Sequence, residues 1–72
     1  MKKIRIRLDE LLKEKGYTQA QLADAIEVRR ATIHDIYHNK SKQLPIDVLN
    51  KITNELKLKS IDKLIVIEEI EE

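Results

Sequence analysis

The 72-residue chain has no cysteine, which excludes a disulfide framework, a cysteine-based zinc module and thiol catalysis. Tryptophan and phenylalanine are also missing, and the two aromatics are Tyr17 and Tyr37, so the core must be aliphatic. Gly16 and Pro45 are the only strong breakers, leaving most of the chain free to be helical. No apolar run approaches the roughly 18 residues that span a bilayer, and no signal-peptide pattern opens the chain. These absences fit a soluble cytoplasmic protein with no membrane partner. No nucleophile–base pair or phosphate loop is present either. Ser41 and Ser60 are the only serines and neither sits in a recognisable catalytic context, so the chain reads as a non-enzyme without a cofactor.

What is present is charge and aliphatic side chains. Fourteen Lys/Arg stand against thirteen Asp/Glu, a net charge of +1. That balance hides an asymmetry, because Glu68, Glu69, Glu71 and Glu72 crowd the end of the chain. Residues 1–67 alone carry 14 basic and 9 acidic groups, a balance of +5. A basic body with an acidic tail admits an anionic partner. Ile, Leu and Val supply 23 residues, too many for disorder by composition. The length is too short for two domains, so a single domain over residues 1–72 is expected. One core of this size rarely gives more than about 3–5 kcal/mol, which makes a second copy of the chain an expectation as well.

The chain opens with period-two alternation. Lys3-Ile4-Arg5-Ile6-Arg7-Leu8 reads as a strand over residues 2–7, with Ile4, Ile6 and Leu8 facing a bundle and a wet opposite face. This alternation argues against Lys2, Lys3, Arg5 and Arg7 being a DNA-reaching arm. From Leu8 the spacing becomes helical, and Gly16 is placed to end the first helix. Thr18-Gln19-Ala20-Gln21 is a capping-box pattern that starts a second helix running to about Ile26. A third helix spans about 30–37, with Val28 and Ile33 at staple spacing and Asn39 as a left-handed stop. Pro45 opens a fourth helix over 45–57, and Ser60 is placed to cap one further turn. Leu64-Ile65-Val66-Ile67 reads as a second strand, about 64–69. It is apolar on both faces and therefore expected between two layers, the second supplied by another copy.

Two short helices joined by a three- or four-residue turn, at about 18–38, form a helix-turn-helix, whose second helix enters the major groove. The residues Thr18-Gln19-x-x-Leu22-Ala23, Val28-x-x-x-Thr32-Ile33 and Asn39-Lys40 resemble the Cro/C1-type (Xre-like) helix-turn-helix family of bacterial and phage regulators, in register from Leu8 to about Leu64. The resemblance implies a mainly α, lambda-repressor-like bundle of four to five helices that binds operator DNA, usually as a dimer. The terminal strands resemble a subgroup in which the chain ends pair beside the bundle. Two positions depart from the family. Glu27 stands where the turn usually has Gly, so either it bears a positive φ or the turn differs. Arg29 stands where the third-helix N-cap is usually Ser or Thr.

Matched residue by residue, the resemblance implies phosphate-facing roles for Gln19, Thr32, Lys40 and Lys42, and base-facing roles for Arg30, Ala31 and Asp35, with His34 beside them. Arg29 adds a positive charge next to that face. The chemistry fits: Arg30 can donate to guanine O6 and N7, Ala31 can touch a thymine methyl, and Asp35 can accept from cytosine N4. The leading function is a sequence-specific double-stranded-DNA-binding transcriptional regulator acting as a homodimer. Two alternatives remain: an antitoxin-like subunit that masks a protein partner and autoregulates through DNA, and a helix-turn-helix used only for protein contacts. His34-Asp35-Ile36-Tyr37-His38 has the spacing of the H-E-x-x-H zinc motif. Asp replaces the Glu and no third ligand is evident, so these residues read as exposed helix positions and no metal is expected.

Overall fold

A computed structural model describes residues 1–71. In chain order the elements are strand β1 (Lys2–Ile6), helices α1 (Leu8–Lys15), α2 (Gln19–Ala25), α3 (Arg30–Tyr37) and α4 (Ile46–Glu55), a 3₁₀ turn (Ile61–Lys63) and strand β2 (Ile65–Glu69). The result is a mainly α bundle with short terminal strands paired antiparallel.

Local chemistry accounts for most of these boundaries. In α1, Leu8, Leu11 and Leu12 form one buried stripe. Asp9 and Glu10 in the first turn and Lys13 and Lys15 in the last complement the helix dipole. In α2 the capping box closes as its residues require: Thr18 Oγ1 accepts from the Gln21 N–H at 3.1 Å, and Gln21 Oε1 accepts from the Thr18 N–H at 2.9 Å.

The helix ends share one device. Gly16, Glu27, Asn39 and Lys57 all take left-handed backbones, with φ of 75°, 56°, 57° and 55°. After α2, Val28 N–H reaches Ala23 O at 3.0 Å and Glu27 N–H reaches Asp24 O at 3.4 Å. Lys40 and Asn39 make the matching pair of bonds after α3, and Leu58 and Lys57 after α4. These are Schellman turns, which satisfy orphan carbonyls at each helix end. Of the two readings of the Glu27 turn, the positive φ holds. The usual turn forms, with an L-residue in the place of Gly.

The core is aliphatic. Leu8, Leu12, Leu22, Ala23, Ile33, Ile36, Ile52, Leu56 and Leu64 are fully buried, with Ile6, Leu11, Ile26 and Leu49 nearly so. Each of the larger side chains is worth roughly 1.5–3 kcal/mol on burial. Tyr17, Val28 and Tyr37 pack on its margin.

The ribbon differs from the sequence reading in three ways. β1 ends at Ile6, one residue short of the expected 2–7, while Leu8 opens α1 where the helical spacing begins. Leu64 is not on β2; it follows the 3₁₀ turn and is buried in the bundle, and the Arg7 N–H bonds its carbonyl at 2.7 Å. Ile4 is not covered by the bundle and is 62% exposed. The register pairs Ile6 with Ile65, Ile4 with Ile67, Lys3 with Glu68 and Lys2 with Glu69. Ile4, Ile6, Ile65 and Ile67 therefore share one face. Its inner pair packs on the core, while Ile4 and Ile67 stand out in solvent. Alternation told which side chains share a face, but not how far the bundle reaches along the ribbon.

Candidate nucleic-acid interface

The α3 helix lies with Ile33 and Ile36 buried and Tyr37 half-buried. That orientation turns Arg30, Ala31, His34, Asp35 and His38 outward, all exposed, at the i, i+1, i+4, i+5, i+8 spacing of one helical face. Every base-facing candidate from the sequence is therefore on the same exposed stripe. The His34 and His38 rings lie one turn apart with centroids at 4.5 Å, and His34 Nδ1 is 3.3 Å from Asp35 Oδ1. Among the described residues, no three His, Cys, Asp or Glu side chains converge as metal ligands.

The flank of this stripe is a shallow groove lined by Thr32, Asp35, Lys40, Ser41 and Lys42. It brings together three phosphate-facing candidates and one base-facing candidate. Arg29 sits at the N-cap of α3 with its side chain making no capping bond, as expected of a residue that cannot accept one. Gln19, half-buried, is the first residue of α2 and is set by the capping box. It is not part of the groove.

Charge pairing divides the cations. Arg7 Nε meets Glu10 at 2.6 Å, and Arg5 meets Asp9, Glu10 and Glu68 at 3.3–3.5 Å. The hydrogen bond from Arg7, then its charge and that of Arg5, holds the Glu10 carboxyl below its usual pKa despite some desolvation. These arginines are engaged with their own chain. Arg29, Lys40 and Lys42, like the lysines elsewhere on the surface, have no ion-pair partner among the described residues, and what sets them apart is their place beside the α3 stripe. The first turn of α3 also lacks an acidic residue, so its unpaired N–H groups and Arg29 add positive potential at the same end. Arg30 behaves differently from its neighbours. Its Nη2 lies 2.8 Å and its Nε 3.3 Å from the two oxygens of Asp24. The hydrogen bond from Arg30 lowers the Asp24 pKa, outweighing desolvation.

Asp24 joins the site without having been a candidate, although its opposite charge six residues before Arg30 across a tight turn was a signal. Asn39, the helix stop and part of the family motif, has a second role, because its side chain also reaches β1.

A short two-helix unit with a fixed turn, an outward helix and unpaired cations beside it defines a helix-turn-helix DNA-binding module. The model of the Cro/C1-type HTH DNA-binding domain matches residues 7–69 of the 72-residue chain, and the chain belongs to that family. Domains of this family are in general non-enzymatic. Comparison with curated proteins and with solved structures gave no match. No helix among the described residues is long and apolar enough to cross a membrane.

Proposed function

We propose that the chain is a sequence-specific double-stranded-DNA-binding transcriptional regulator, residues 1–72 acting as one cytoplasmic DNA-binding domain that works as a homodimer. In this reading α3 enters the major groove. Arg30, Ala31, His34 and Asp35 face bases, and Gln19, Arg29, Thr32, Lys40 and Lys42 face phosphates. The carrying observation is the placement of Arg29, Lys40 and Lys42, without ion-pair partners among the described residues, around the outward stripe of α3. Phosphate contacts of this kind fix register, while the stripe supplies base contacts.

The test is selection of bound sites from a random duplex library, followed by anisotropy titration of the selected site. With about 6–10 phosphate contacts in a dimer, affinity falls roughly 10³–10⁵-fold between 50 and 200 mM salt. A flat salt response with no enriched sequence would overturn the reading and favour a helix-turn-helix used for protein contacts.

A further inference from the structure

The geometry points to Asp24 as a specificity-determining residue that positions Arg30 for guanine and discounts its attraction to phosphate. The inference rests on the proposed base-facing role of Arg30.

An arginine presents five N–H donors in a planar fork. Asp24 Oδ1 takes the Nε–H of Arg30 and Oδ2 takes one Nη2–H. That is the side edge of the guanidinium. The end edge, one Nη1–H and the second Nη2–H, is left for another acceptor pair. A guanine offers such a pair in O6 and N7. The two engagements therefore coexist, and the carboxylate fixes the plane in which the free edge lies. Fewer rotamers then remain to be frozen when the base is met.

The pairing acts differently on phosphate. A phosphate draws an unpaired cation mainly through net charge, and the Arg30–Asp24 pair has none. The carboxylate is itself repelled by the DNA backbone. Asp24 thus lowers affinity for any duplex while retaining the directional bonds to guanine, and selectivity rises as a difference between the two.

Nothing in the fold depends on this carboxylate. Both side chains are mostly exposed, at 68% and 63%, where an ion pair adds little to stability. Asp24 also lies near the C-terminal end of α2, an unfavourable place for a negative charge. The turn bond at this residue uses its backbone carbonyl, which a side-chain change leaves in place. Asp24 variants are therefore folded proteins that report on binding.

The experiment compares the unmodified protein, Asp24→Asn, Arg30→Ala and the double variant on the selected site and on a random duplex, each at several salt concentrations. Asp24→Asn is expected to bind the random duplex several-fold more tightly, to steepen the salt slope by about one unit, and to lose preference for one G·C pair per half-site. In the Arg30→Ala background, Asp24→Asn still raises affinity through charge but leaves base preference unchanged. Unchanged base preference in Asp24→Asn, with preference lost in Arg30→Ala, overturns the role of Asp24 and spares that of Arg30. Preference retained in Arg30→Ala means that Arg30 does not read a base, and the inference falls with that role.

Discussion

The side-chain amide of Asn39 is bonded twice to the backbone of Ile6, 33 residues earlier. Its Oδ1 accepts from the Ile6 N–H at 2.7 Å and its Nδ2 donates to the Ile6 carbonyl at 3.0 Å. The amide imitates a neighbouring strand at a strand residue that is itself nearly buried. Asn39 is also the left-handed residue that ends α3. One side chain thus joins the end of α3 to the terminal ribbon.

Asn39→Gly separates these two tasks, because glycine keeps the left-handed backbone and loses both side-chain bonds. Leaving part-buried Ile6 groups without these partners costs roughly 1–3 kcal/mol. Urea denaturation should show that loss, and an unchanged midpoint would mean the ribbon is held by its apolar contacts alone.

At Glu27 and Arg29, where the chain departs from its family, the family's residue should stabilise the fold, and at Arg29 it should also weaken DNA binding. Glu27→Gly relieves an L-residue held at positive φ and should stabilise the fold by about 0.5–1 kcal/mol, net of the greater freedom of glycine when unfolded. Arg29→Thr supplies the missing capping oxygen, worth about 1 kcal/mol of stability. It should nevertheless weaken binding to all duplexes and reduce the salt slope by about one unit. Denaturation midpoints paired with anisotropy titrations check both. Arg29→Thr binding as tightly as the unmodified protein would remove Arg29 from the phosphate-facing set.

These residues also mark what was legible in the sequence. The Thr18–Gln21 capping box was legible because both reciprocal bonds close within four residues. So was the outward stripe of α3, since Ile33 and Ile36 fix the buried side and the rest follows from helical period. The Asn39–Ile6 bond was not, because nothing in one dimension brings those residues together. The Asp24–Arg30 pair was hidden by the turn between them: its geometry was open until Glu27 was seen to take the left-handed backbone.

A separate link ties the loop before α2 to α4. Tyr17 Oη donates to Glu55 Oε2 at 2.5 Å. This bond, then desolvation, then the Glu55 charge, raise the phenol pKa above its usual 10.0. A raised folded-state pKa means the contribution is full below the unfolded value and is lost as pH rises through the folded one. The stability advantage of the unmodified protein over Tyr17→Phe should therefore be constant near neutrality and shrink in alkali above about pH 10. Denaturation of the pair at several pH values reads it, and a constant difference into strong alkali would show that the bond is not what Tyr17 contributes.

The exposed end of the ribbon is the surface that a proposed homodimer would use. The ribbon face of Ile4 and Ile67, at 62% and 70% exposure, continues the inner pair Ile6 and Ile65 beyond the bundle. An isolated two-stranded ribbon is marginal, and an apolar patch beyond the bundle gains by being covered. Pairing through strand edges adds charges of one sign to the contact, Glu68 and Glu69 of both copies at β2 or Lys2 and Lys3 of both at β1, which disfavours it. Packing face to face instead stacks isoleucine on isoleucine. Such a dimer would carry two α3 helices, which a near-palindromic site requires about 34–36 Å apart. Analytical ultracentrifugation at tens of micromolar should give the mass of two chains. Ile4→Lys and Ile67→Lys should each shift it toward one chain with little loss of helix content, since neither side chain is buried in the monomer. Ile65, half-buried against the core, is a poorer probe because its substitution also unsettles the monomer. A dimer indifferent to both lysines would place the contact elsewhere, and a monomer at all concentrations would leave assembly to the DNA.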